Sequence, residues 1–220
     1  MTNFKDLPLL IFDLDGTLID SAQDIHVALN SILKKHGRSE VDLPTLVSHI
    51  GDGLHKLVND FFPEFDFHSS ELNDRVEEFL DLYRDEHLIA TTTLYPDVYE
   101  FLQSYEGPKA LITNKNIHPT MRIFEHFKLD QMPWVTIIGG DSLAEKKPSP
   151  LALHTTMKKI GYKPENTWMI GDGRPDMISA QAAGCKKAAV HYGYSRADEL
   201  AHYKPDLVLS HFRDIKKLLG

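Results

Sequence analysis

After Pro96 the chain alternates short apolar runs with helical segments, and that alternation narrows the fold more than any other feature. The runs are Ala110 to Ile112, Val135 to Ile138, Trp168 to Ile170, Ala188 to Val190 and Leu207 to Leu209. Apolar runs this short read as strands buried on both faces, and strands separated by helices imply a parallel sheet joined by right-handed crossovers. An earlier run, Leu7 to Leu14, is stopped by Gly16 and reads the same way. The expected fold class is therefore α/β, with a doubly wound, Rossmann-type parallel sheet as its core.

Between the first strand and Pro96 the texture differs. Ile25, Ala28, Leu29, Ile32 and Leu33 recur at helical spacing after Ser21, with Gly37 as a C-terminal stop. Leu54, Leu57, Val58 and Phe61 repeat the spacing, as do Leu72, Val76, Phe79, Leu80 and Tyr83, for which Ser70 is the expected cap. No strand pattern interrupts the stretch from about Asp20 to Ala90. The expected organisation is a core domain of residues 1–18 and 91–220 carrying an inserted α-helical cap domain, residues 19–90. A last helix is expected from His211 to Leu219.

Composition bounds the function classes. A 220-residue chain with 42% hydrophobic and 25% charged residues has an ordinary globular balance and can bury a sizeable core. Its formal net charge of -8 argues against a nucleic-acid binder, which needs a basic surface. The single cysteine, Cys185, excludes an intrachain disulfide, and Met1 to Asp6 lack the layout of a secretion signal. No apolar run approaches the roughly 18 to 20 residues that span a bilayer. These readings predict a cytoplasmic protein with no nucleic-acid or membrane partner, monomeric or homodimeric. The histidines are scattered, with no H-E-x-x-H or close Cys/His cluster to suggest a histidine metal site.

In open parallel sheets ligands bind beyond the carboxyl ends of the strands, and four candidate strands here are followed at once by polar residues. The first is followed by Asp13-Leu14-Asp15-Gly16-Thr17. Two carboxylates two residues apart at a buried strand end repel each other unless a cation or shared proton relieves them, and magnesium, which favours oxygen ligands, would do so. After Ala110 to Ile112 come Thr113-Asn114-Lys115, whose hydroxyl and amide can both bond phosphate oxygens. In Lys146-Lys147-Pro148-Ser149-Pro150 the prolines stiffen the chain, Ser149 can cap the next helix with Pro150 at its first position, and Lys147 can place a charge on a phosphoryl group. Gly171-Asp172-Gly173-Arg174-Pro175-Asp176 follows Trp168 to Ile170; Asp172 can complete a magnesium site with Asp13, and Asp176 can hold metal waters or the lysine. Taken singly, each motif also reads as a turn, a helix cap or a solvated charge pair.

In this order, Asp13-Leu14-Asp15-Gly16-Thr17, Thr113-Asn114, Lys147-Pro148 and Gly171-Asp172 to Asp176 resemble the haloacid dehalogenase superfamily of aspartyl-nucleophile phosphohydrolases across nearly the whole chain. The helical insertion resembles that superfamily's small α-helical cap. Within it, Ile50-Gly51-Asp52-Gly53-Leu54-His55-Lys56-Leu57-Val58 resembles the glycine-containing cap segment of phosphoglycolate phosphatases, as Thr113-Asn114-Lys115 does their second motif. Two positions depart from that subgroup: Gly173 stands where a small polar residue is frequent, and Ser149 where alanine is. Neither removes a catalytic group.

The resemblance implies a magnesium-dependent phosphatase acting on a small-molecule phosphate monoester, 2-phosphoglycolate foremost. It implies Asp13 as nucleophile and Asp15 as general acid and base. Magnesium would be held by the Asp13 side chain, the Asp15 backbone carbonyl and Asp172. Thr113, Asn114, Lys147 and amides around Leu14 and Asp15 would cover the phosphoryl oxygens. Gly16, Thr17, Gly171 and Asp176 would support the site. Gly51 and Gly53 would let the cap backbone approach the leaving group, or simply make a helix-to-helix turn; His55 reads as a cap-surface residue. The alternatives are a sugar phosphomutase of the β-phosphoglucomutase kind, which shares the four motifs, and a catalytically silent binding member. A haloalkanoate dehalogenase would need neither Asp15 nor magnesium.

Overall fold

The computed structural model describes residues 7–84 and 88–219; the Met1 to Asp6 segment lies outside them. The first strand, β1 (Leu9–Phe12), is buried on both faces. Leu10 and Phe12 join one apolar cluster and Leu9 and Ile11 the other, which is why the run shows no polar alternation. Next come β2 (Ile19–Asp20), α1 (Ala22–Lys35), α2 (Leu43–Val47), α3 (Leu54–Phe61), α4 (Ser70–Leu82), β3 (Thr93–Leu94) and α5 (Val98–Ser104). The alternating part holds β4 (Lys109–Ile112), α6 (Ile117–His126), β5 (Trp134–Ile138), α7 (Leu151–Ile160), β6 (Thr167–Gly171), α8 (Arg174–Ala183), β7 (Lys186–Val190), α9 (Ala197–Ala201) and β8 (Leu207–Leu209).

The main sheet runs β5-β4-β1-β6-β7-β8 and its strand pairs are parallel. Strand β1 lies between β4 and β6, so the chain builds outward to both sides of it. That reversal opens a crevice at the carboxyl ends of β1, β4 and β6, where a doubly wound sheet takes its ligand.

The helices of the inserted stretch pack on one another, α4 against α1 and α3, and α2 against α1. Leu29, Ile32, Val58 and Phe79 belong to the same continuous apolar cluster as Leu10 and Phe12 of β1. Burying each such side chain fully stabilises by about 1.5–3 kcal/mol before entropy is counted. Strands β2 and β3 pair antiparallel, Ile19 with Leu94 and Asp20 with Thr93, so the helical stretch leaves and rejoins the sheet at one place. Two-residue strands carry no periodicity, and the sequence pattern does not reveal them.

Three local expectations are corrected. The cap of α4 is Ser69, not Ser70: Ser69 has extended backbone and its hydroxyl accepts from the Leu72 amide at 3.2 Å, while Ser70 is already helical. The cap position of α7 is Pro150 rather than Ser149, although the Ser149 hydroxyl still accepts from the Leu151 amide at 3.3 Å. The terminal segment is a 3-10 helix, Phe212–Leu218. Its first turn is tightened by the Asp214 carboxylate, which accepts the Ser210 and His211 amides at 3.1 and 3.0 Å. Among the described residues no helix is long and apolar enough to cross a membrane.

Candidate active site

Immediately beyond β1 the Asp13 amide still donates to the Ile170 carbonyl, at 2.9 Å, so its place beside β6 is fixed by the sheet ladder. The chain then curls: Gly16 donates to the Ile19 carbonyl at 2.8 Å and Leu18 to that of Leu14 at 2.9 Å. Gly16 has φ 79°, and a Cβ there would lie 2.2 Å from Oδ2 of Asp172. Only glycine allows this turn to press against the end of β6. Thr17 reinforces it, its hydroxyl donating to Oδ1 of Asp172 at 3.0 Å.

Asp13, Asp172 and Asp176 thereby converge, with one carboxylate oxygen of each within 4.8 Å of the others. Lys147 enters from the loop before α7, its Nζ 2.7 Å from Asp13 and 2.6 Å from Asp176. The second oxygen of Asp176 accepts the Gly173 amide at 3.0 Å, closing the first turn of α8. A Cβ at Gly171 would sit 2.2 Å from Cγ of Asp176, so that glycine makes room for the pair.

Burial dominates the electrostatics. It pushes Asp13 up to about 7, against the pull of Lys147, and Asp172 up to about 8, with Asp13 and Asp176 adding to the rise. Burial alone would depress Lys147, but Asp13 and Asp176 hold it above its ordinary value. With all three carboxylates ionised, the one ammonium, paired with Asp13 and Asp176, leaves an excess of negative charge in a site of oxygen donors. That donor set fits a hard divalent cation.

Asp15 faces elsewhere. Its carboxylate takes both oxygens to Nζ of Lys115, at 2.9 and 3.1 Å, and accepts the Ser21 hydroxyl. Thr113, at the end of β4, accepts the Lys115 amide at 3.1 Å, which leaves its O–H to donate. The Asn114 amide nitrogen donates to the Gly51 and Lys147 carbonyls, both at 2.9 Å, and so ties two loops together.

Gly51 and Gly53 both have positive φ, 126° and 89°, and a Cβ at Gly53 would be 2.7 Å from Nζ of Lys146. Lys146 donates to the Asp52 carbonyl at 2.7 Å. The glycine segment therefore makes a turn into α3 and also meets the sheet end. His55 bonds Asn73 at 3.1 Å within the helical stretch. Between that stretch and the strand ends lies a cavity of about 70 Å³. Asp13, Asp15, Thr113 and Lys115 line it from the sheet side, and Ile50, Leu54, Phe79 and Tyr83 from the helices.

Three contributors have no role assigned from the sequence. Ser21 and Lys115 flank Asp15. Tyr194 donates its amide to Oδ2 of Asp172 at 2.7 Å and its hydroxyl to Asp20 at 3.1 Å, and that hydroxyl accepts the Ser21 amide at 2.8 Å. The signal for Tyr194 was present: His191 to Tyr194 follow β7 as the other motifs follow their strands.

A parallel sheet with carboxylates from two strand ends around one lysine defines a class, and the sequence comparison names it. Residues 10–190 match the haloacid dehalogenase-like hydrolase family, and the chain belongs to that family. Phosphoglycolate phosphatase 1 of Pseudomonas aeruginosa is 36% identical, over 94% of this chain and 78% of the relative. The phosphoglycolate phosphatase of Chromobacterium violaceum is 34% identical over 99% and 98%. Among solved structures, a predicted phosphoglycolate phosphatase from Haemophilus somnus 129pt superposes with a TM-score of 0.86 at 29% identity, covering 98% of this chain and 99% of that one.

Proposed function

We propose that the chain is a magnesium-dependent phosphatase that hydrolyses a small phosphate monoester, 2-phosphoglycolate foremost, through a phosphoaspartyl intermediate on Asp13. The observation that carries this reading is the convergence of the Asp13, Asp172 and Asp176 carboxylates at the strand ends, two of them paired with Lys147, beside a cavity. The substrate is favoured by the names of the relatives.

An Asp13 oxygen attacks phosphorus in line; the ester P–O bond breaks, and its electron pair leaves with the alkoxide. Asp15, at the same strand end, gives that alkoxide a proton and later takes one from the water that attacks phosphorus, breaking the bond to Asp13 and freeing phosphate. Lys147 and the Thr113 hydroxyl stabilise the phosphoryl oxygens, where a fixed donor is worth about 3 kcal/mol. Asn114 acts by position, tying the Gly51 loop to the Lys147 loop. The Asp13 and Asp172 side chains and the Asp15 carbonyl would hold magnesium, which supplies charge neutralisation at the phosphate. Residues 19–90 serve as the cap, excluding water and reading the leaving group over a core of residues 1–18 and 91–220.

The test is phosphate release from a panel of metabolites, ranked by kcat/KM, with EDTA and magnesium re-addition. The expected result is 2-phosphoglycolate at the head, with activity lost to EDTA and restored by Mg2+. Turnover without a bisphosphate activator separates it from a mutase. Failure to release phosphate from any ester would overturn the reading.

A further inference from the structure

The cavity between the helices and the strand ends is chemically lopsided. Apart from His49 and the glycine turn, its helical side is apolar: Ile50, Leu54, Leu57, Phe79, Leu80 and Tyr83. A leaving group rich in hydroxyls would lose its water there without gaining partners, and each orphaned group would weaken binding. Among the described residues that line the cavity, Lys115 alone is a lysine or arginine.

Lys115 is also where a leaving group has to be. Its side chain is 8% exposed, and its Nζ lies 2.9 Å from the carboxylate of Asp15, the group assigned to the leaving oxygen. Its Nζ stands 5.0 Å from the ring centre of Tyr83, which comes from the helical side. The Tyr83 hydroxyl is buried and makes no hydrogen bond of good geometry among the described residues. A buried ammonium in an apolar wall, with one anion and one buried hydroxyl beside it, is built to receive a second anion of small size.

We propose that Lys115 is the specificity-determining residue of the site, pairing with a carboxylate carried by the leaving group close to its ester oxygen. The inference rests on the phosphatase reading and assigns that enzyme's choice among esters to one side chain. The substrate class is a short phosphorylated hydroxy acid. A sugar phosphate or nucleotide offers Lys115 no carboxylate and brings hydroxyls to the apolar wall.

The experiment compares two esters of equal length, 2-phosphoglycolate and 2-hydroxyethyl phosphate, in the wild type, Lys115→Met and Lys115→Arg. A charge-assisted pair predicts a wild-type preference for the acid of about 10- to 100-fold in kcat/KM. In Lys115→Met both rates fall, because Asp15 loses its partner, but the preference collapses towards unity, chiefly through KM for the acid. Lys115→Arg restores part of it. If Lys115→Met keeps the wild-type ratio while both rates fall, Lys115 serves Asp15 only and the inference is overturned. If Lys115→Met does not fold, product inhibition of the wild type decides: competitive inhibition by glycolate but not ethylene glycol upholds the inference, and equal inhibition overturns it. A wild type that releases phosphate equally fast from both esters sinks the Lys115 assignment alone, whereas release from neither sinks the phosphatase reading with it.

Discussion

Lys147 and Asp176 form a buried ion pair at 2.6 Å, and the same ammonium reaches Asp13 at 2.7 Å. Lys146, its neighbour, instead donates to the Asp52 carbonyl at 2.7 Å. Two adjacent lysines thus divide the work: one neutralises the carboxylates of the sheet, the other holds the glycine segment in front of them.

Lys147→Met removes the cation from two buried carboxylates. Breaking such a pair from one side costs about 3–5 kcal/mol, so urea unfolding should shift by that amount. The kcat should fall about 100- to 1000-fold, as for loss of a fixed donor. Lys146→Met, measured alongside, should spare most of the stability.

Gly16→Ala places a Cβ where Asp172 stands, 2.2 Å from Oδ2, at a φ of 79° that alanine resists. Displacing a carboxylate proposed to hold magnesium should weaken Mg2+ binding about 10- to 100-fold. Magnesium titration by calorimetry checks it.

Asp13 and Asp172 are raised to about 7 and about 8 by burial. For an acid raised on folding, the stabilisation is full below its ordinary value of 3.8 and is lost as pH rises through the folded value. The metal-free protein should therefore lose stability as pH climbs towards 8. Mg2+, which needs both groups ionised, should raise Tm more at about pH 8 than at about pH 6. Thermal melts across pH, with EDTA and with Mg2+, check both signs.

Asp24, 2% exposed on α1, accepts the amides and hydroxyls of Thr91 and Thr92 at 2.7 to 3.0 Å. Burial would raise it, but these hydrogen bonds outweigh burial and lower it. Its stabilisation is present above the ordinary 3.8 and is lost as pH falls through the lower folded value. Asp24→Asn should cost about 3 kcal/mol near pH 7, and the gap from the wild type should close in acid. Urea unfolding at several pH values measures it.

What the sequence made legible follows from what each signal depends on. Strands β1, β4, β5, β6, β7 and β8 could be read because each contains a short apolar run between polar stops. Asp13, Lys147, Asp172 and Asp176 could be read because they follow strands whose ends must converge in a parallel sheet. Strands β2 and β3 escaped because their pairing spans more than seventy residues with no local pattern. Ser69 and Ser70 are chemically alike, and only backbone geometry separates the cap from the first helical residue. Asn114 was read by its chemistry, an amide at a strand end, but where its donors point depends on the Gly51 and Lys147 loops, which fold from distant sequence. Lys115 could not be paired with Asp15 from spacing, since one hundred residues separate them.

The most direct test replaces the one atom on which the chemistry turns. Asp13→Asn keeps the side chain's shape and removes its nucleophilic charge, so it should fold as the wild type does by circular dichroism. Phosphate release from 2-phosphoglycolate with saturating Mg2+ should drop to background. A correctly folded Asp13→Asn enzyme that turns over near the wild-type rate would contradict the account.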